Sequence, residues 1–86
     1  MNTNIYQQAV QGIPLDIQKE TALTFSVSNR IYDLLQQRGM TQKEFAKLMK
    51  KSEAEVSAWL SGQHNFTLRT IAKISAALNT DILSVQ

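Results

Sequence analysis

The chain predicts an all-α domain of four to five helices, and three observations carry that expectation. Apolar residues recur at three- and four-residue spacing, and no stretch of strand-like alternation competes with them. Hydroxyl side chains suited to helix starts stand at Thr41, Ser52 and Thr67. Gly39 and Asn79, residues suited to a left-handed stop, each follow an apolar stripe.

Residues 1–12 are polar and low in charge, with only Ile5, Tyr6 and Val10 on a weak helical face, and read as an arm. Pro14 can occupy the first turn of a helix running through Ile17, Thr21, Thr24 and Phe25, because the amide that proline lacks has no partner there in any helix. A segment over about 28–38 places Ile31, Leu34 and Leu35 at helical spacing and stops at Gly39. Neither proline nor glycine separates the two segments. They read as one long bent helix or as two helices broken near 26–28, where serine competes for backbone hydrogen bonds. The expected organisation is an N-terminal extension over 1–25 and a helical domain over 26–86.

Residues 41–62, TQKEFAKLMKKSEAEVSAWLSG, spell two short helices back to back. Thr41 with Glu44 and Ser52 with Glu55 have the spacing of a capping box, in which hydroxyl and carboxylate reciprocally satisfy amides at a helix start. Phe45, Ala46 and Met49 give the first helix one face to bury, and Val56, Trp59 and Leu60 do the same for the second. Only Lys50 and Lys51 separate Met49 from Ser52, so the helices must meet steeply, as in a helix-turn-helix. That geometry suits reading DNA. Residues 62–66 then form a loop, and Thr67 caps a helix with the stripe Leu68, Ile71, Ala72, Ser75 and Leu78, ended by Asn79. Thr80 and Asp81 can start a last turn through Ile82 and Leu83. The expected core is Ile31, Leu34, Leu35, Phe45, Ala46, Met49, Val56, Trp59, Leu68, Ile71 and Leu78.

At 86 residues the chain holds one domain at most, small enough that help from a dimer interface is expected. The absence of cysteine excludes a disulfide, a thiolate zinc site and a cysteine nucleophile. Residues 1–15 have no charged side chain and no basic n-region, so no secretory signal is expected, and no run approaches the roughly 20 apolar residues that span a bilayer. A cytoplasmic location fits. Net charge is only +2, but residues 28–80 carry eight Lys and Arg against four Asp and Glu, enough for a modest phosphate-binding surface. Asp16, Asp33, Glu44 and Glu53 show no paired-acid or metal-ligand logic, there is no glycine-rich phosphate loop, and His64 is the single histidine. Neither enzymatic activity, nor a cofactor, nor a metal is expected.

Residues 28–83 resemble the Cro/cI-type (XRE) helix-turn-helix repressors: Gln42 opens the first motif helix, followed by the Glu44-Phe45-Ala46 triplet, Ser52 at the next cap, the Val56-Ser57 pair and the closing Gly62. Residues 62–78, GQHNFTLRTIAKISAAL, resemble more narrowly the repressor-like antitoxins of bacterial toxin–antitoxin pairs. One position departs from the family: Lys50 stands where glycine is frequent, so the turn must be made without the residue that most easily takes positive φ.

The resemblance implies a lambda-repressor-like domain that binds double-stranded DNA at a palindromic operator as a homodimer, with the second motif helix in the major groove. Ser52, Glu53, Ala54 and Ala58 would face bases, flanked by Glu55 and Ser57. None of these can make the bidentate contacts to guanine or adenine, each worth about 1–3 kcal/mol of discrimination. Specificity would instead draw on Glu53 at cytosine N4, on Ala54 and Ala58 against thymine methyl groups, and on DNA shape. Glu53 and Glu55 also have a plain structural role, since carboxylates in a first turn complement the helix dipole. Gln42, Lys43, Lys50 and Lys51 around the turn, Gln63, His64, Asn65 and Thr67 in the following loop, and Arg69 beyond it would meet phosphates. Trp59, in register with Val56, reads as core rather than as a stacking platform. The dimer surface falls either on residues 76–85 or on 14–25. An antitoxin role would have the extension wrap a small toxin through Ile5, Tyr6, Val10, Ile13 and Leu15; otherwise it packs on its own domain.

Overall fold

One unbroken helix, α1 (Leu15–Gln37), runs through the serine-containing stretch where two alternatives stood open. Ser28 does not turn its hydroxyl onto its own helix. It is buried and donates a 2.6 Å hydrogen bond to the carbonyl of Trp59, 31 residues away. The computed structural model describes residues 12–85, and among these the remaining elements are α2 (Gln42–Met49), α3 (Glu53–Leu60) and α4 (Leu68–Leu78), with no strand. Ile5, Tyr6 and Val10 lie outside the described residues. Pro14 stands just before α1, its carbonyl accepting the Gln18 amide at 3.1 Å.

Three helices end in the same way, with a residue in the left-handed region and two reversed backbone bonds over the last turn. Behind α1, Met40 N–H reaches Leu35 O at 3.0 Å and Gly39 N–H reaches Gln36 O at 3.2 Å. Behind α2, Lys51 reaches Ala46 and Lys50 reaches Lys47; behind α4, Thr80 reaches Ser75 and Asn79 reaches Ala76. The residues at positive φ are Gly39 (61°), Lys50 (57°) and Asn79 (50°). The motif turn is therefore the one that glycine would make, adopted by a lysine against a steric cost of roughly 1–2 kcal/mol.

The core gathers Val27, Ile31, Leu34 and Leu35 from α1, Phe45 and Ala46 from α2, Val56 and Trp59 from α3, and Ile71, Ile74 and Leu78 from α4. Phe45 and Trp59 meet edge to face, with centroids 6.1 Å apart, and this contact joins α2 to α3. Two expected core residues differ. Met49 is half-buried at the rim, and Leu68, at the very start of α4, is 78% exposed. The inward stripe of α4 is Ile71, Ile74 and Leu78, rotated from the expected one, and Ala72 faces out.

The expected last turn through Ile82 and Leu83 does not form. Thr80 is already engaged, since its hydroxyl accepts from Arg38 at 2.8 Å and donates to Leu78 O at 3.2 Å, leaving no cap for a new helix. Instead Ile82 N–H bonds the Ser75 hydroxyl at 3.1 Å, and its side chain closes the core from outside α4.

Candidate nucleic-acid interface

At the start of α2 the capping box is complete: Thr41 Oγ1 accepts from Glu44 N–H at 3.1 Å and Glu44 Oε1 accepts from Thr41 N–H at 2.9 Å. The bond from the Thr41 amide, with that of its side chain, holds the Glu44 carboxyl below the ordinary carboxylate range. With Phe45 and Ala46 turned inward, Lys43 and Lys47, four residues apart, share an exposed side of α2, and Lys50 is exposed in the turn beyond it. Lys47 is absent from the sequence-based candidates, and its signal is the four-residue spacing from Lys43 within one helix.

The start of α3 is capped on one side only. Ser52 Oγ accepts from Glu55 N–H at 3.1 Å, as expected, but the Glu55 carboxylate does not return to the Ser52 amide. It lies 3.5 Å from the Ser52 hydroxyl and 4.0 Å from Lys51 Nζ, so it stands beside these two groups and the box is left half-made. Both partners are well exposed, and such pairs contribute little.

Val56 and Trp59 fix the inward face of α3, and helical geometry turns Ala54 and Ala58 to the opposite side. Ser52, Glu53, Ala54, Ser57 and Ala58 are all exposed. Apart from Glu53 these side chains are small, which leaves a low-relief outer face. Gln42 Nε2 donates to Glu53 O at 3.4 Å, so the two helix starts, each bearing unpaired amides, stand side by side.

Beyond α3, Ser61 Oγ donates to Ala58 O at 2.7 Å and accepts from Gln63 N–H at 3.2 Å, and Gly62 turns the chain at φ 84°. A Cβ on Gly62 would run into the Phe25 ring of α1, so this glycine serves both the turn and a close approach. Gln63, Asn65, Thr67 and Arg69 are exposed. Thr67 caps α4, accepting from Thr70 N–H at 3.1 Å. His64 differs from its neighbours: it is half-buried, edge-on to Phe66 at 4.8 Å and 6.5 Å from Trp59. Its ring extends the aromatic row that starts at Phe45.

Two arginines of the basic excess are directed elsewhere. Arg30 donates to Asp81 O at 3.4 Å and Arg38 to the Thr80 hydroxyl, so both secure the tail to α1. The cations left around the motif are Lys43, Lys47, Lys50 and Lys51, with Arg69 beyond. Among the described residues no cluster of His, Cys, Asp or Glu could hold a metal ion, and no helix is long and apolar enough to cross a membrane.

The profile of the helix-turn-helix family matches residues 31–84, from the core half of α1 to the tail beyond α4. The chain belongs to the Cro/cI-type (XRE) helix-turn-helix family. Comparison with curated proteins and with solved structures gives no match. Within this XRE domain α2 and α3 are the motif pair, joined by the left-handed Lys50 turn and locked by the Phe45–Trp59 contact. Membership makes this a DNA-binding helix-turn-helix domain.

Proposed function

We infer that the protein is a sequence-specific repressor, cytoplasmic and acting on its own operon, which binds a palindromic operator as a homodimer with α3 in the major groove. The observation that carries this reading is the complete exposure of the outer face of α3, on a helix whose inner face is clamped by Val56, Trp59 and the Ser28 bond. Ser52, Glu53, Ala54, Ser57 and Ala58 contact base edges. Gln42, Lys43, Lys51, Gln63, His64, Asn65, Thr67 and Arg69 contact phosphates, joined by Lys47 on α2 and Lys50 in the turn. Without bidentate base readers, the phosphate and shape terms carry a large share of the affinity.

The test is binding to the chain's own promoter DNA across a salt series. Affinity falls steeply with salt, and footprinting shows two half-sites about one helical turn, roughly 34 Å, apart. No binding at low salt would instead favour a module confined to protein contacts.

A second activity in the same chain, neutralising a small toxin, is favoured by the exposure of Ile13 just before α1. Co-purification with the product of a neighbouring gene, lost when Ile13 is replaced by aspartate, tests it.

A further inference from the structure

The first half of α1 has apolar side chains that its own domain leaves uncovered. Leu15, Ile17 and Leu23 are between 44% and 65% exposed, whereas the buried residues of the helix begin at Val27. Beside that half lies a groove of about 420 Å³, floored by Leu23, Val27, Phe66, Leu68, Ile71 and Leu83. On its α1 side the lining residues recur at helical intervals from Asp16 through Lys19 and Glu20 to Leu23 and Val27. The groove thus has an apolar floor and, at one end, a rim carrying both signs of charge. Among the described residues, Asp16, Lys19 and Glu20 make no ion pair.

Resting on the reading of the chain as a dimeric repressor, we propose that this groove is the dimer surface and that its occupant is the first half of α1 from a second copy. The rim charges favour this occupant. Residues 1–15 have no charged side chain with which to answer Lys19 and Glu20, whereas a second α1 brings a glutamate for the lysine and a lysine for the glutamate. A two-fold axis passing between the two helices at the level of Lys19 and Glu20 places Lys19 of each copy opposite Glu20 of the other, the self-complementary arrangement that an isologous contact requires. The same antiparallel register carries the exposed Leu15 of each copy over the apolar floor of the other. An amphipathic helix laid in an apolar groove is a recurrent mode of association. Twofold pairing also covers a helical segment too short to be stable alone in water. Asn65 and Phe66, which follow α3 closely in sequence, line the groove, so the contact lies beside the DNA-facing loop and couples the two reading helices.

Sedimentation equilibrium on the full chain tests the proposal. The wild type is expected to dimerise, and Leu68→Glu, at an exposed position that leaves the helical spectrum unchanged, raises the dimer dissociation constant by about tenfold or more. Lys19→Glu and Glu20→Lys each weaken the dimer several-fold, and the double exchange restores it, because both members of each cross-copy pair are then reversed. A chain that stays monomeric overturns the proposal, whether residues 1–11 or another protein covers the groove. A dimer indifferent to all four variants overturns it in favour of residues 76–85. A dimer sensitive to Leu68→Glu that ignores DNA at low salt upholds the groove and overturns the repressor reading instead.

Discussion

The hydroxyl of Ser28 and the carbonyl of Trp59 lie 2.6 Å apart in the core, and this bond ties α3 to α1. Trp59 sits in the last turn of α3, where carbonyls have no partner within the helix, so the bond satisfies a group that burial would otherwise penalise. Ser28→Ala is expected to lower stability by about 1–3 kcal/mol, measured by urea denaturation. A change within experimental error would show that water or another group takes over the Trp59 carbonyl.

Lys50 makes the motif turn at φ 57° without glycine's freedom. Lys50→Gly relieves the left-handed strain but adds backbone entropy to the unfolded chain, and a net gain of about 1 kcal/mol, or roughly 4–8 °C in Tm, is expected. The same change removes a cation from the motif turn. The slope of log affinity against log salt for DNA should fall in magnitude by about 0.9. Calorimetry and a salt titration on one variant therefore move in opposite directions for stability and for binding.

Gly62 has the opposite constraint, being at φ 84° with the Phe25 ring where a Cβ would stand. Gly62→Ala should cost at least about 2 kcal/mol, from the left-handed backbone and the displaced ring together. Adding Phe25→Ala should recover part of that loss, a non-additivity that a double-mutant cycle reads directly. Full additivity would place the ring elsewhere in solution.

Much of this fold was legible because its signals are local. The Thr41 and Thr67 caps, the Gly39 and Asn79 stops and the Val56–Trp59 register each need only a few neighbouring residues. What was not legible depends on partners distant in sequence. Ser28 looked like a helix breaker because its acceptor is 31 residues away; Ile82 entered the core because Ser75 holds its amide. Leu68 had the correct spacing but lies a turn short of the packed region, where no neighbour covers it. In the site, the cap at Ser52 is half-made, with the Glu55 carboxylate beside the Ser52 hydroxyl and Lys51 rather than on the Ser52 amide, a choice of partner that spacing rules for a single motif do not weigh.

The bonds from Thr41 that lower the Glu44 pKa link the first motif helix to pH. The folded state binds this proton less readily than the unfolded chain, so the stabilisation is present above the ordinary carboxylate range and is lost as pH falls through the lowered value. Glu44→Gln should flatten the acid limb of a stability–pH profile followed by thermal melts, leaving the limb above neutrality unchanged. An unchanged acid limb would mean that the box is open in solution.

The outer face of α3 is the surface proposed to meet DNA, and Ala54 and Ala58 lie at its centre. Binding of promoter DNA by Ala54→Glu and Ala58→Glu, set beside their melting curves, measures this most directly. Both positions are exposed, so stability should change by no more than about 0.5 kcal/mol. A carboxylate forced against the groove should weaken binding by about a hundredfold or more. Wild-type affinity in both variants would contradict the account, because DNA would then be held by some other face of the domain.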